Sequence, residues 1–229
     1  MASIDEAKRT AARAALAELP DEGVIGLGTG STTRFFIDAV GEAVKAGKKY
    51  VGVPTSEASR KQAGELGIPL LSDDGPWDIA VCVDGADEVD PNLDLVKGGG
   101  GAQTREKIVN FSARKNVIIV DGSKLSAQLG MTWSVPIEVL PFAHLATKSH
   151  LAKFGTPVLR PAKQGDGPWK TDAGNLIYDV KTGPIANVTA LDTQLRAIPG
   201  VVETGLFVGR ADVVLVARES GVERLVRKK

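Results

Sequence analysis

Between Asp84 and Lys107 the chain concentrates side chains that can move protons and hold charge. Asp84-Gly85-Ala86-Asp87-Glu88 comes first, then Lys97-Gly98-Gly99-Gly100-Gly101, then Thr104-Arg105-Glu106-Lys107. Carboxylates accept and return protons, and a lysine neutralises an oxyanion or a phosphate. Consecutive glycines let backbone N–H groups turn toward a ligand. That mixture suits proton transfer beside a carbonyl. The acids follow an apolar run, Ile79–Val83, that reads as a buried strand, and ligands of open α/β sheets bind at the carboxyl ends of strands. Plainer readings stand beside this one. The acids could cap the next segment or bind magnesium through oxygen ligands, and Glu106 could simply stabilise a helix N-terminus, worth ~0.3–1 kcal/mol. The glycine run is harder to explain as a linker, because a charged helix-forming segment resumes at once, with Thr104 as its expected cap and Glu106 in its first turn. A base so placed needs dry surroundings to keep its affinity for a proton.

A second constellation is Gly28-Thr29-Gly30-Ser31-Thr32, which joins a short apolar run (Val24–Leu27) to a segment of helical periodicity. Glycine N–H groups, a helix start and neighbouring hydroxyls make an anion site. A dinucleotide fingerprint would need glycine where Thr33 stands and an acid where the second strand ends in Val53-Pro54-Thr55; a Walker loop would need a lysine where Gly30 is followed by Ser31. A small phosphate monoester is the better guest, and a tight strand-to-helix turn with no ligand is the equally open plain reading.

These residues need a scaffold. Ser3 and Glu6 form a capping-box pattern ahead of a stripe (Ile4, Ala7, Ala11, Ala15, Leu19) ended by Pro20. Strands are predicted at Val24–Leu27, Tyr50–Val53, Ile79–Val83 and Val117–Val120. Helices follow Ser31, run from a Ser56 cap to about Leu66, and span about Thr104 to Arg114. This alternation predicts an α/β fold, a Rossmann-like, mostly parallel sheet with helices on both faces. Near Trp133 the pattern changes: Val135–Leu140 reads as an edge strand, Ala143–Phe154 as a helix, Thr156–Leu159 and Asn175–Val180 as strands around a polar loop, and Ala190–Ile198 as a helix. After Gly200, Gly205–Val208 and Ala211–Ala217 read as strands returning to the larger sheet. A large unit is therefore expected over 1–131 and 205–229, and a smaller α+β unit, a candidate oligomerisation module, over 132–204.

Bulk properties exclude other classes. The 229 residues carry 28 Lys+Arg against 28 Asp+Glu, so the basic excess of a nucleic-acid binder is missing. Arg224, Arg227, Lys228 and Lys229 read as a solvated terminus. A single cysteine, Cys82, rules out an internal disulfide and reads as a buried core residue of a reducing compartment. No apolar run approaches the roughly 18 residues of a membrane span and no leader pattern opens the chain, so the expectation is a cytoplasmic protein. His144 and His150 lie far from the acids and read as ordinary helix residues.

With these motifs in order, and with Asp121-Gly122-Ser123-Lys124 added, the chain resembles the type A ribose-5-phosphate isomerases over nearly its whole length. The resemblance implies interconversion of ribose 5-phosphate and ribulose 5-phosphate in the pentose phosphate pathway, through an enediolate, with no metal and no organic cofactor. It implies a homodimer or homotetramer whose partner molecule is a small sugar phosphate, without nucleic acid or membrane. It assigns Glu106 as the base working between C2 and C1, Asp84 as the acid for hydroxyl protons, and Asp87 as the acid linked to ring opening. Lys97, with the N–H groups of Gly98, Gly99 and Gly100, is implied to hold the enediolate oxygens. Thr29, Gly30, Ser31 and Thr32, with Lys8 and Lys124, are implied to bind substrate. Gly101 and Gln103 lie in a stretch without a firm counterpart.

Three competing functions have their own signatures. A sugar-phosphate deaminase would release ammonia, a coenzyme A transferase would form a glutamyl thioester, and a phosphosugar-sensing module of a regulator would carry a basic helix-turn-helix, for which the stretch before Pro20 holds just one helix.

Overall fold

The computed structural model describes residues 4–219 and 221–228. The chain divides into two compact units: 1–86, 105–124 and 210–229 form the first, and 87–104 with 125–209 the second. From sequence the second unit spans 132–204; here it also takes in 87–104 and 205–209, whose short strands pair with one another, and 125–131, tied to them by a Val89–Leu125 bridge and the Gly130 N–H on Glu88.

In the first unit, helix α1 (Ile4–Leu16) leads to β1 (Glu22–Leu27), α2 (Ser31–Lys45), β2 (Lys49–Pro54), α3 (Glu57–Glu65) and β3 (Val81–Asp84). The Ser3 cap lies outside the described residues. Further along come most of α4 (Gln103–Ser112), then β6 (Asn116–Asp121), β12 (Val213–Arg218) and β13 (Gly221–Val226). The six strands stand in the order β13-β12-β6-β3-β1-β2, parallel except for β13. Chain order explains the function of this arrangement. From β1 the chain crosses to β2 on one side and returns to β3 on the other, so the carboxyl ends of β1 and β3 flank a topological switch point, where open sheets bind ligands.

The strands of this sheet are apolar in nearly continuous runs because both faces are covered. Val117 and Ile119 of β6 join a core with Ile25, Leu27, Phe36, Val40 and Leu215, closed by Ala11 and Ala15 of α1. On the other face Cys82 packs with Val53, Ile79 and Val109, which confirms it as a core residue. A Cβ on Gly26 would lie 2.7 Å from the Cys82 sulfur and 2.9 Å from a Val109 methyl, so glycine there is what lets α4 sit close on the sheet.

The second unit carries β4 (Glu88–Val89) and β5 (Leu95–Val96), then β7 (Val135–Val139), α5 (His144–Leu151), β8 (Thr156–Leu159), β9 (Leu176–Lys181), α6 (Val188–Arg196), β10 (Val201–Thr204) and β11 (Leu206–Phe207). An antiparallel sheet runs β10-β7-β9-β8, and a small one runs β11-β5-β4. Tyr178, Ile137, Val139 and Leu195 lie in its core.

Four local expectations change. β7 lies between two strands and is not an edge. Pro136 is tolerated there because its carbonyl accepts from the Gly205 N–H, so the N–H it lacks would have faced the point where β10 pairing has already ended. Leu206–Phe207 pairs with β5 in the second unit and does not return to the large sheet. α5 stops at Leu151, short of Phe154. The basic C-terminal stretch is largely strand β13, with Lys229 outside the described residues.

Arg224 on β13 and Lys115 before β6 both bond the Glu18 carboxylate, at 2.6 Å each. The hydrogen bond from Arg224, seconded by Lys115 and opposed by burial, lowers the Glu18 pKa from 4.5 to about 2. The folded protein therefore gains stability from Glu18 above pH 4.5, and loses it as pH falls toward about 2. Glu18→Gln should cost about 1–3 kcal/mol in urea unfolding at neutral pH, with the gap to wild type closing steadily as the medium is acidified below the carboxylate range. A deficit that is unchanged by acid would show that Glu18 acts through packing alone.

Among the described residues no helix is long and apolar enough to cross a membrane.

Candidate active site

The end of β1 passes over the last residue of β3. The Gly28 N–H donates to the Val83 carbonyl at 3.0 Å, and a Cβ on Gly28 would sit 2.3 Å from Asp84 Oδ1 and 2.6 Å from its Cα. Only glycine fits so near another backbone. Asp84 is 2% exposed, and its Oδ1 accepts the N–H groups of Thr29 (3.0 Å) and Gly85 (2.7 Å). Charge-assisted bonds of this kind orient the carboxylate at the switch point. The Thr29 hydroxyl meets those of Thr55 and Ser56, each at 2.8 Å, while Ser59 donates to the Gly28 carbonyl at 2.6 Å. The N–H and the hydroxyl of Thr29 are thus engaged in bracing the loop.

Gly30 (φ 126°) precedes α2, whose start has no side-chain cap and no acid in its first turn. Such a helix end presents N–H groups and positive potential together. The Lys8 ammonium reaches the Ser31 hydroxyl at 3.1 Å, adding a cation from α1 to the same spot. Thr32 follows, half-buried, in the first turn. Lys124, also half-buried, sits in a single 3₁₀ turn just past the carboxyl end of β6, shaped by the Ser123 N–H on Asp121 at 2.9 Å.

Glu106 is 3% exposed in the first turn of α4. Because α4 links β3 to its parallel neighbour β6, it must run back against them, which carries its N-terminus to the carboxyl edge of the sheet. Its contact with Cys82 and Gly26 through Val109, one turn along from Glu106, fixes which face looks inward. The helix begins at Gln103, so Thr104 is not its cap. The Thr104 hydroxyl instead donates to Glu138 at 2.5 Å, and this buried carboxylate also accepts from Thr171 (2.9 Å) and the Asn175 amide (2.8 Å).

In the second unit the glycine run makes a tight turn. The Gly101 N–H donates to the Gly98 carbonyl at 2.9 Å, with φ of 109° at Gly98 and 81° at Gly101. Each close approach leaves no room for a side chain: Gly98 lies under Gln103, Gly99 between Asp87 and Trp133, and Gly101 against the Trp169 indole. The Gly99 N–H donates to Asp87 Oδ2 at 2.7 Å. Gly100, at the tip, is exposed. Lys97 is 3% exposed, its ammonium 5.4 Å from the centre of the Phe207 ring. Beside Gly99 opens a cavity of about 380 Å³ that Thr132, Trp133, Ser134, Arg160 and Asp179 also line. Glu88, fully buried, anchors its wall by accepting from the N–H groups of Gly130 (2.8 Å) and Thr132 (3.0 Å).

Each unit therefore assembles part of the sequence-derived set: Lys8, Gly28–Thr32 and Asp84 join in the first, and Asp87, Lys97 and Gly98–Gly101 in the second. Sequence reasoning read Ser56 as the cap of α3, which it is, but passed over Thr55 and Ser59, although a hydroxyl cluster directly after a strand is a visible signal. It also passed over Glu138, Arg160 and Asp179, which no motif marks.

An uncapped helix start with a lysine at its first hydroxyl, beside a buried aspartate at a sheet switch point, is an arrangement of α/β proteins that suits a small anionic ligand. The sequence matches the family model for ribose 5-phosphate isomerase A (phosphoriboisomerase A) over residues 51–221. It is 45% identical to ribose-5-phosphate isomerase A of Thermococcus kodakarensis, across 98% of this chain and 100% of that protein. Against the Bradyrhizobium diazoefficiens protein of the same name it is 43% identical, across 99% and 98%. A solved D-ribose-5-phosphate isomerase in complex with phospho-erythronic acid superposes with a TM-score of 0.95 at 44% identity, covering 99% of this chain and all of the other. The enzyme from Neisseria gonorrhoeae superposes at 0.91 with 36% identity, over the full length of both. The chain belongs to the ribose-5-phosphate isomerase A family.

Gly28→Ala should force the β1 end away from Asp84. The expected outcome is a loss of about 1–3 kcal/mol in thermal or urea unfolding, together with a large fall in turnover. Wild-type stability and activity in that variant would refute the close-approach account.

Proposed function

We propose that this chain interconverts D-ribose 5-phosphate and D-ribulose 5-phosphate by proton transfer through an enediolate, in the non-oxidative pentose phosphate pathway, with neither metal nor organic cofactor. The observation that carries the reading is Glu106: a carboxylate 3% exposed, in the first turn of a helix whose N-terminus lies at the ligand-binding edge of a parallel sheet. A general base withheld from water keeps its proton affinity for the substrate carbon.

In this reading the phosphate rests on the α2 start, held by Gly30, Ser31 and Thr32 with Lys8 and Lys124, while Thr29 braces that loop. Asp87, oriented by the Gly99 N–H, assists opening of the sugar ring. Glu106 then takes the proton from C2 of the open-chain aldose, and electrons move from the C2–H bond into the carbonyl, giving the enediolate. Lys97 and the backbone N–H groups of Gly98 and Gly100 offset the negative charge that develops on its oxygens, while the Gly99 N–H holds Asp87 in place. Asp84 relays the proton between the O1 and O2 hydroxyls, and Glu106 returns its proton to C1. Net atoms are unchanged.

Family membership supports this reading over the deaminase, transferase and sensor alternatives. The same reading places the protein in the cytoplasm as a homodimer or homotetramer. Exposed Leu140, Phe142 and Leu145 in the second unit supply apolar surface suited to self-association.

Glu106→Gln should fold with an unchanged melting temperature and show no measurable isomerisation of ribose 5-phosphate. Wild-type enzyme in deuterated water with a chelator should still turn over and place solvent deuterium in the ketose. Near-normal turnover by the variant would remove Glu106 from the mechanism, and activity abolished by the chelator would remove the metal-free route. Lys97→Ala should lower kcat by about 10²–10³-fold. Sedimentation of the wild type at micromolar concentration as a monomer would exclude the proposed assembly.

A further inference from the structure

The geometry points to Arg160 as a positioning residue that sets the glycine turn in its charge-binding form. This inference rests on the reading of that turn as the site of enediolate stabilisation. Arg160 follows β8, and its guanidinium is locked edge-on to Asp179 of β9, with Nε on Oδ2 at 2.9 Å and Nη2 on Oδ1 at 2.5 Å. The remaining nitrogen, Nη1, donates to the Gly98 carbonyl at 2.8 Å and, at longer range, to that of Gly99 at 3.4 Å. The arginine side chain is 12% exposed.

The consequence follows from peptide geometry. In a trans peptide the carbonyl of one residue and the N–H of the next point in opposite directions. Drawing the Gly98 and Gly99 carbonyls to Arg160 therefore turns the N–H groups of Gly99 and Gly100 away from it. The Gly99 N–H reaches Asp87, so that peptide is pinned on both sides, by a cation at its oxygen and a carboxylate at its nitrogen. The exposed tip at Gly100 has its N–H aimed by the same clamp. A glycine-rich turn has many conformations of similar energy, and without an external hold the donors would have to be ordered at the moment of reaction. A fixed positive charge on the carbonyl oxygens also polarises the attached N–H groups and strengthens them as donors.

Arginine is specifically required for this arrangement. A planar fork can satisfy a carboxylate with one edge and still present a nitrogen to two carbonyls, whereas a lysine ammonium offers a single point. Asp179 keeps the fork from rotating, and both residues stand on one antiparallel sheet, a rigid support for a flexible turn. Because donors that are merely misaligned still bind the ground state, the expected damage falls on turnover.

The test compares Arg160→Lys, Asp179→Asn and Lys97→Ala with wild type, using ribose 5-phosphate kinetics, melting temperature, and calorimetric binding of phospho-erythronic acid, whose planar anionic carboxylate resembles an enediolate. Arg160→Lys should lower kcat by about tenfold or more with KM shifted less than about threefold, and should weaken phospho-erythronic acid binding in step with the fall in kcat. Asp179→Asn should move the same parameters in the same direction by a smaller factor. A folded Arg160→Lys enzyme with wild-type kcat, a loss that only tracks the unfolded fraction, or a rise in KM alone would overturn the assignment. If Lys97→Ala is impaired while both clamp variants are normal, the stabilisation site stands and the clamp falls. Wild-type turnover in Lys97→Ala would end both.

Discussion

The first unit turns on one contact, the passage of Gly28 across Asp84. Two strands that are neighbours in the sheet but 55 residues apart in sequence meet there, and the aspartate binds the Thr29 N–H as well as that of the residue after itself. If the strands spread, the carboxylate would lose its donors while still buried, which is far costlier than never having made them. The contact therefore sets where β1 ends, where α2 begins, and which way the uncapped helix start faces. Thr55, Ser56 and Ser59 reinforce it with hydroxyls that need no charge of their own.

Buried charge recurs through the molecule, and the protein meets its cost in a consistent way. Backbone N–H groups donate to Asp84 and Glu88, and two hydroxyls and an amide donate to Glu138. The ion pairs of Glu18 with Arg224 and Lys115 join elements at the edge of the first sheet. Arg160 pairs with Asp179 through two of its nitrogens, and the third reaches the glycine turn.

The glycine turn shows how a flexible stretch becomes a defined surface. Its run of glycines has no packing energy of its own, yet Gln103 presses on Gly98, Asp87 and Trp133 on Gly99, and Trp169 on Gly101. The turn is shaped from outside, by residues on the second unit's strands and loops. That is also why Gly101 and Gln103, which fit no motif firmly, belong to the turn: the indole of Trp169 occupies the space a side chain at 101 would need.

Much of this was legible in the chain itself. Apolar runs alternating with 3.6-residue periodicity determined the parallel sheet, and the glycine, lysine and carboxylate spacings marked the loops that the proposed mechanism uses, because both are local patterns that backbone geometry enforces. Cys82 was recognisable as core from its apolar neighbours, and Glu106 as a first-turn residue from the charged segment around it. Tertiary structure decided the rest. Whether Val135–Val139 was edge or centre depended on where β10 stops pairing, Leu206–Phe207 took a partner more than a hundred residues back, and Thr104 gave up its capping role to a carboxylate 34 residues away. Arg160 reaches the Gly98 carbonyl across 62 residues. Such choices are made by hydrogen bonds and close approaches between distant segments, and a pattern read along one dimension has no term for them.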